Sequence, residues 1–144
     1  MQQLSEKWKI TLPKIKTLRF HHVDDDAQVI TGDGITAIKI DDNMLPHLAE
    51  IEILKKFPAI TVDMGAIKFV CKGANIMRPG ITKLDDFNDG EIICVVEESN
   101  NKFLSVGIAK MSSDKANSTK TGMVLNHLHY ISDKFWETKK EIKD

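Results

Sequence analysis

Short stretches of alternating apolar and polar residues dominate the N-terminal part of the chain. Alternation over residues 14–23 predicts a strand, and alternation over residues 27–40 predicts a β-hairpin. The middle of that hairpin reads TGDGI, and its glycines, Gly32 and Gly34, tolerate the positive φ angles that tight turns require. Three short strands are therefore expected before residue 41.

The pattern becomes helical over residues 41–57. Leu48, Ile51 and Leu54 recur at the spacing of one helical face. Pro58 follows, and a proline cannot continue a helix because it lacks the backbone N–H donor. The proline is therefore the expected boundary of the first domain.

Residues 58–144 alternate between short apolar runs and polar turns, which is typical of a β-rich domain. The predicted elements are strands at 59–62, 91–98, 103–111 and 123–131, a strand running into a turn at 74–80, about two helical turns at 65–73, a polar loop at 112–122 and a helix beginning at Ser132 or Asp133. Many short strands with brief helices predict a small β-barrel with helical plugs. The expected fold class is therefore α+β, with a small N-terminal α/β domain over residues 1–57 and a barrel domain over residues 58–144.

Composition narrows the class of protein. Hydrophobic residues make up 42% and charged residues 28% of the 144 residues, as in a soluble globular protein. The net charge is −1, so any binding of nucleic acid requires a local positive patch. No apolar run approaches the roughly 20 residues that span a bilayer, and the N-terminus lacks the apolar core of a signal peptide. No membrane association is expected.

The cysteines favour a non-enzymatic protein in a reducing compartment. Cys71 and Cys94 lie far apart in apolar surroundings, and neither belongs to a CxxC pair. Structural zinc is therefore disfavoured and a cytosolic location is expected. Cys71 falls on the apolar side of the short predicted helix, and the sequence contains no GxSxG elbow and no P-loop. No catalytic residue, cofactor or metal is expected.

The segment VDMGAIKFVCKGANIMRPGI, residues 62–81, combines glycines, an apolar centre and unopposed positive charge. In a helix, Lys68 and Lys72 lie on one face because they are four residues apart, whereas Ile67 and Val70 face the core. No acidic residue occurs between Asp63 and Asp85, and the basic residues in that interval are Lys68, Lys72, Arg78 and Lys83. The outward face of this helix is therefore expected to be cationic.

Glycines border the same helix at both ends. Gly65 precedes the first turn, where free backbone N–H groups and the helix dipole attract anions. Gly73 suits the left-handed conformation of a helix C-cap. Arg78, Pro79 and Gly80 then predict a turn that presents a guanidinium group, a planar set of donors suited to phosphate. Together these features predict an anion-binding surface.

A second acid-poor stretch extends over residues 99–132. Its one acidic residue is Asp114, and its basic residues are Lys102, Lys110, Lys115 and Lys120. If the fold brings both stretches together, a nearly neutral domain gains one positive face. The alternative remains open at this point, because glycines are ordinary turn residues and lysines on a short helix are often merely solvated.

Other candidate sites carry weaker signals. Residues 21–26, HHVDDD, contain metal-ligand types, but adjacent strand residues point to opposite faces, so a strand end with an acidic turn is favoured. His127 and His129 are two apart and are expected to share a strand face, which favours an RNA-facing or polar surface over a metal site. Phe135 and Trp136 either stack on bases or, as we expect, close one end of the barrel.

The sequence resembles the PUA domain, an RNA-binding pseudobarrel found in pseudouridine synthases and archaeosine transglycosylases. The resemblance covers residues 58–136, where the segment quoted above is followed by GEIICVV, FLSVGIAKMSS and GMVLNHLHYISDKFW in the order and spacing of that family. Within the family, the chain is most similar to the malignant-T-cell-amplified-sequence group and its archaeal relatives. In that group a small α/β domain precedes the PUA domain, which agrees with the expected boundary at Pro58.

The resemblance implies binding of structured RNA, often tRNA, through the first helix, the loop after it, the next strand and part of the last strand. The positions of this sequence that correspond to that surface are Gly65, Ala66, Lys68, Lys72, Gly73, Asn75, Arg78, Pro79 and Gly80, together with His127 and His129. The implied partners are tRNA or rRNA, the small ribosomal subunit and a separate initiation-factor-like protein. The implied process is translation initiation, re-initiation or recycling.

Two other functions remain open from the sequence. The chain is also compatible with a detached RNA-binding subunit of a tRNA-modifying enzyme of the archaeosine transglycosylase type. A protein–protein adaptor that binds no RNA is the second alternative.

Overall fold

The computed structural model describes Trp8 and residues 17–142, in which ten strands form two sheets. The first sheet is an antiparallel meander of β1 (Arg19–Asp24), β2 (Ala27–Gly32), β3 (Ile35–Ile40) and β4 (Asn43–Pro46), in that order. The strand and hairpin predicted there are confirmed, although residues 14–16 of the first prediction lie outside the described residues. At the hairpin turn, Asp33 and Gly34 have φ values of 48° and 85°, the two positive angles that this turn requires. The expectation that Gly32 supplies one of them is wrong, because Gly32 is the last residue of β2 and pairs with Ile35.

The helix predicted over residues 41–57 is wrong in its first half. Strand β4 occupies that part and pairs with β3, and helix α1 is limited to Ile51–Leu54. Leu45 explains the difference, because as a strand residue it is completely buried in the core. Ile51, expected on the buried face, is 44% exposed. Here pairing with a neighbouring strand outweighed helical spacing.

The second sheet is mixed and mainly antiparallel. It contains β5 (Ala59–Val62), β6 (Ile76–Met77), β7 (Ile81–Leu84), β8 (Ile92–Glu97), β9 (Phe103–Ala109) and β10 (Met123–Tyr130), in the spatial order β6-β10-β9-β8-β5-β7. Strands β5 and β8 form its parallel pair. The predicted strands are confirmed, whereas β7 was not predicted. A mainly β pseudobarrel with a few short helices is the result.

The helices of this part are α2 (Ile67–Val70), α3 (Ser113–Ser118) and α4 (Lys134–Glu141), with 3-10 turns at Met64–Ala66 and Arg78–Gly80. The polar loop predicted at 112–122 is wrong, because α3 forms within it. Ser112 caps α3, and Ala116 is buried in the core. Helix α4 begins as predicted, since the Asp133 carboxylate accepts a hydrogen bond from the Trp136 N–H at 2.8 Å. No described helix is long and apolar enough to cross a membrane.

The second sheet separates two cores. One side packs around Ile60, Val95 and Leu125 and receives the inward face of α2. The other side packs against the meander, and this second core is shared by Val29, Leu45, Cys94, Val106 and Phe135, among others. Cys94 is fully buried there, and burial raises the pKa of its thiol to about 12. Residues before Pro58 and residues after it therefore pack into one shared core.

Two buried histidines connect the meander to the second sheet. His47 Nδ1 accepts from the Ala49 N–H at 2.9 Å, and its Nε2 donates to the Phe135 carbonyl at 3.2 Å. His129 Nε2 accepts from the Leu48 N–H at 3.1 Å, and its Nδ1 donates to the Asp133 carboxylate at 2.8 Å. Each ring has one nitrogen accepting a backbone N–H, which requires the neutral form. The ring centres lie 4.7 Å apart.

We predict that acid destabilises the fold through His47. Burial, and secondarily His129, lowers the pKa of His47 to about 4, whereas the unfolded value is about 6.5. Between these values the unfolded chain binds a proton that the folded chain does not, so the free energy of unfolding falls as pH decreases from about 7 to 4. The expected loss is about 2–4 kcal/mol, measured by urea unfolding at successive pH values.

Variants separate this effect from general acid sensitivity. His47→Gln retains a donor for the Phe135 carbonyl and should flatten the pH dependence, whereas replacement of the exposed His22 by Gln should leave it unchanged. Equal slopes for His47→Gln and the parent would contradict the assignment.

The close approach of β9 and β10 predicts a second effect on stability. A Cβ atom on Gly107 would lie 2.2 Å from the Asn126 carbonyl oxygen, a backbone atom that cannot move aside cheaply. Gly107→Ala should therefore reduce the free energy of unfolding by about 1–3 kcal/mol or more. Gly80→Ala is the control, because its Cβ would lie 3.6 Å from the Ala66 Cβ, an ordinary contact. Equal thermal melting temperatures for both variants would refute this account.

Candidate nucleic-acid interface

The start of the segment around α2 carries two carboxylates. Asp63 Oδ1 accepts from the Ala66 N–H at 2.9 Å, and Glu98 Oε1 accepts from the Met64 N–H at 3.2 Å. The expectation that Gly65 and Ala66 present a bare, anion-attracting helix start is therefore wrong. The Met64 and Ala66 N–H groups already have carboxylate partners there, and two negative charges repel a phosphate. Gly65 remains exposed, whereas Ala66 packs partly against the core.

The outward face of α2 is cationic and apolar together. Lys68 and Lys72 are exposed, and among residues 17–142 no carboxylate forms an ion pair with either of them. Phe69 lies between them and is 57% exposed, with Lys68 Nζ at 5.1 Å from its ring centre. Val70 is buried and Cys71 packs against the same core, so the predicted sidedness of the helix is confirmed.

The turn after α2 is fixed to strand β10. Gly73 has φ +90°, the left-handed conformation predicted for it, and a Cβ there would lie 3.1 Å from the Tyr130 ring. The exposed Asn75 accepts the His127 backbone N–H with its Oδ1 at 2.9 Å. The turn therefore has a defined position rather than that of a free loop.

Arg78 does not present a free guanidinium. Its Nε donates to the Ala116 carbonyl at 2.5 Å and its Nη1 donates to the Ile81 carbonyl at 3.3 Å. The half-buried side chain thereby attaches its own 3-10 turn to α3. Gly80 accepts the Asp63 N–H with its carbonyl at 3.1 Å, so this turn also braces the start of the α2 segment. Arg78 and Gly80 are thus structural supports in this geometry, and Pro79 is exposed between them.

An apolar groove of about 260 Å³ lies between α2 and β6. Phe69 and Met77, both about half exposed, form part of its wall, and Asn75 contributes a polar group. Sequence reasoning did not single out Phe69 or Met77. The available signal was that Phe69, the residue after Lys68, departs from the apolar face formed by Ile67 and Val70. We call Lys68, Phe69, Lys72, Asn75 and Met77 together the α2 surface.

The two histidines of β10 do not share a face. The pairing register of β10 with β9 shifts between them, as in a β-bulge, so their side chains are separated. His129 is completely buried in the second core, so the expectation that it contacts RNA is wrong. His127 is half-buried and lies beside Tyr130, with ring centres 5.1 Å apart.

The aromatic residues of α4 are also structural. Phe135 is 2% exposed and contacts the His129 ring, and Trp136 stacks on His47 with ring centres 6.0 Å apart. Both therefore pack in the core shared with the meander, rather than at one end of the barrel as expected. Among the described residues, no group of three or more His, Cys, Asp or Glu is arranged to hold a metal ion.

The two acid-poor stretches meet in space. Strand β6 pairs with β10, the Arg78 N–H donates to the Gly122 carbonyl at 2.9 Å, and Asn75 contacts His127. Lys102 lies close enough to Cys71 to lower the pKa of its thiol, although burial raises that pKa by more. Because these two stretches carry many lysines and few acids, their contact brings positive charge together on one side of the domain.

Several known proteins are similar to this chain in sequence. The PUA domain family matches residues 58–131. Malignant T-cell-amplified sequence 2 from Homo sapiens is 31% identical over 136 residues, which cover 89% of this chain and 75% of that protein. Translation machinery-associated protein 20 from Saccharomyces cerevisiae is 28% identical over 134 residues, which cover 87% and 74% of the two chains.

The fold of the chain is also similar to that of a solved protein structure. A hypothetical protein from the archaeon Pyrococcus horikoshii OT3 has a TM-score of 0.79 and 27% identity, and the match covers 95% of this chain and 90% of that one. The family match covers the strands, helix α2 and turns that build the α2 surface. The chain therefore belongs to the PUA-domain family, in the group that includes the malignant-T-cell-amplified-sequence proteins.

Proposed function

We propose that the chain is a non-enzymatic RNA-binding protein that recognises tRNA or structured rRNA through the α2 surface. The observation that carries the proposal is a half-exposed Phe69 in contact with the exposed Lys68, with the exposed Lys72 three residues later, in the wall of an apolar groove. Exposed aromatic groups next to cations suit nucleic acid, because bases stack on the ring while phosphates contact the charges.

The lysines supply the phosphate contacts. Lys68 on α2 and Lys72 just after it are exposed, and the carboxylates of Asp63 and Glu98 accept backbone hydrogen bonds in the turn before α2. A negatively charged backbone is therefore drawn toward the lysines and away from the start of the segment. This separation of charge orients the bound RNA backbone as well as attracting it.

The groove supplies a place for an unpaired base. Phe69 and Met77 offer an apolar wall, and Asn75 offers an amide N–H₂ that the His127 contact leaves unused. A double-stranded RNA buries its bases, so this groove favours ends, loops and bulges. A single-stranded tail next to a helical stem is the RNA form that fits both the groove and the lysines.

We place this activity in translation, at the small ribosomal subunit, during initiation, re-initiation or recycling. The support is family membership together with the name of the yeast relative, Translation machinery-associated protein 20. A separate initiation-factor-like protein is the expected partner. Residues 1–57 form, on this proposal, a small α/β domain that positions the PUA domain at residues 58–144 or recruits that partner.

Two measurements discriminate the alternatives. Co-sedimentation with 30S particles supports the ribosomal function, whereas binding confined to tRNA supports a detached subunit of a tRNA-modifying enzyme. An adaptor that binds no RNA would show no steep loss of affinity as salt is raised.

Charge reversal of the lysines is the first test of the surface. Lys68→Glu with Lys72→Glu should weaken binding to a hairpin RNA with a single-stranded 3′ tail by at least about tenfold, and should lower the salt slope by about 1–2. Arg78 is left unchanged because it supports the fold. Fluorescence anisotropy at several salt concentrations measures both quantities.

The matched control reverses Lys55 and Lys56, which are exposed beside α1 in the N-terminal part. This variant carries the same change in net charge and should retain the affinity of the parent. Equal weakening by both double variants would show that total charge, rather than the α2 surface, governs binding.

Replacement of Phe69 tests the base contact. Phe69→Ala should weaken binding of the tailed hairpin by about tenfold, because stacking of one base contributes about 1–3 kcal/mol, and should have little effect on a blunt duplex. Phe20→Ala is the control, since Phe20 on β1 is 58% exposed against 57% for Phe69. Unchanged affinity in a folded Phe69→Ala variant would remove the groove from the site.

A further inference from the structure

His127 lies beneath the turn that leads from α2 to β6. Its backbone N–H donates to the Asn75 side chain at 2.9 Å, and its ring lies 5.1 Å from that of Tyr130. Tyr130 in turn occupies the space next to Gly73. The ring therefore packs under the same turn that holds Lys72 and Asn75 in the α2 surface.

The polar atoms of this ring are buried and unsatisfied. Nδ1 and Nε2 of His127 are both inaccessible to solvent, and neither has a hydrogen-bond partner among the described residues. Leaving a buried donor or acceptor unpaired costs free energy. The polar groups facing the ring are backbone groups of Gly73 and Ala74, which raise the pKa of His127, although burial lowers it by more.

The form of the ring that matches these neighbours is the protonated one. The backbone groups of Gly73 and Ala74 raise the pKa of His127, which is the effect of carbonyl oxygens. Carbonyl oxygens accept hydrogen bonds and cannot donate them. A neutral imidazole offers one N–H and leaves a lone pair without a donor, whereas the imidazolium offers two N–H groups. Burial opposes the charge in the free protein, so an added negative charge nearby is needed to favour protonation.

We propose that His127 is a proton-linked positioning residue of the α2 surface: binding of RNA draws a proton from solution onto its ring, whose N–H groups then fasten the Gly73–Asn75 turn. The proposal rests on the proposed function, because the added negative charge is that of RNA phosphates on Lys72. The ring nitrogens of His127 are buried, so they act on the turn rather than on the RNA directly.

The other charged groups around the ring modify this linkage without replacing it. Asp133, at the start of α4, raises the pKa of His127, and His129 on the same strand lowers it. Tyr130 on β10 lies beside the ring, and Cys71 and Lys72 are the titratable residues that directly precede Gly73 in the chain. None of these groups changes position between free and RNA-bound protein in this account, so RNA is the variable charge.

Reciprocity gives the direction of the effect. If RNA raises the pKa of His127, protonation of His127 must raise the affinity for RNA by the same factor. Affinity should therefore increase as pH falls through the range in which His127 titrates. A shift of one pKa unit on binding corresponds to a tenfold change in affinity.

The test measures affinity against pH with a defined probe. The probe is a hairpin RNA with a single-stranded 3′ uridine tail, and anisotropy is recorded from pH 7.5 to 5.5 at constant ionic strength, with circular dichroism confirming the fold at each pH. The parent should gain about three- to tenfold in affinity over this range, whereas His127→Gln should show a nearly flat profile. His22→Gln, an exposed histidine on β1, should behave like the parent.

A second readout observes the proton directly. Imidazole ¹⁵N chemical shifts should report a neutral His127 in the free protein at pH 6.5 and a doubly protonated ring in the RNA complex. A ring that stays neutral in the complex at pH 5.5, or equal pH profiles for His127→Gln and the parent, would overturn the proposal while leaving RNA binding intact. Failure of the parent to bind the probe at every pH would instead overturn the proposed function, and the linkage with it.

Discussion

Burial of one face of the N-terminal meander against the second sheet is the contact on which the rest of the structure depends. Val29 and Leu45 from the meander meet Val106 and Phe135 there, and His47 connects to His129 across the same contact. Strand β10 is thereby packed on both sides, because Leu125 lies in the opposite core. A strand fixed in this way provides a firm base for the turn that carries the α2 surface.

The two histidines of β10 differ in the hydrogen bonding of their rings. Both nitrogens of His129 have partners, as do those of His47, so these rings are accommodated as neutral groups at little cost. Neither nitrogen of His127 has a partner among the described residues. A buried polar group without a partner in a native protein requires a physical explanation, and this one lies under the surface proposed to bind RNA.

Negative and positive charges occupy different parts of the segment around α2. Carboxylates of Asp63 and Glu98 accept backbone hydrogen bonds at the start of the segment, whereas Lys68 on the helix and Lys72 just after it are exposed. In a chain whose net charge is −1, attraction for RNA must come from such local separation. Phe69 and Met77 add an apolar component to the same surface.

The sequence by itself determined the features whose causes are local. The tight turn at Asp33 and Gly34, the sidedness of α2, the left-handed Gly73 and the Asp133 cap of α4 all depend on residues within a few positions of one another. The PUA motifs likewise indicated the family, because their glycine and apolar spacing is read along the chain.

Only the tertiary structure decided the features that depend on distant partners. Residues 43–46 became a strand because β3 offers an edge to pair with, and Arg78 became a support because the Ala116 carbonyl lies within its reach. A register shift in β10 buried His129, and Glu98 reached the start of the α2 segment from another strand end. Long-range contacts outweigh local preference because burial and completed hydrogen bonds contribute more free energy than intrinsic propensity does.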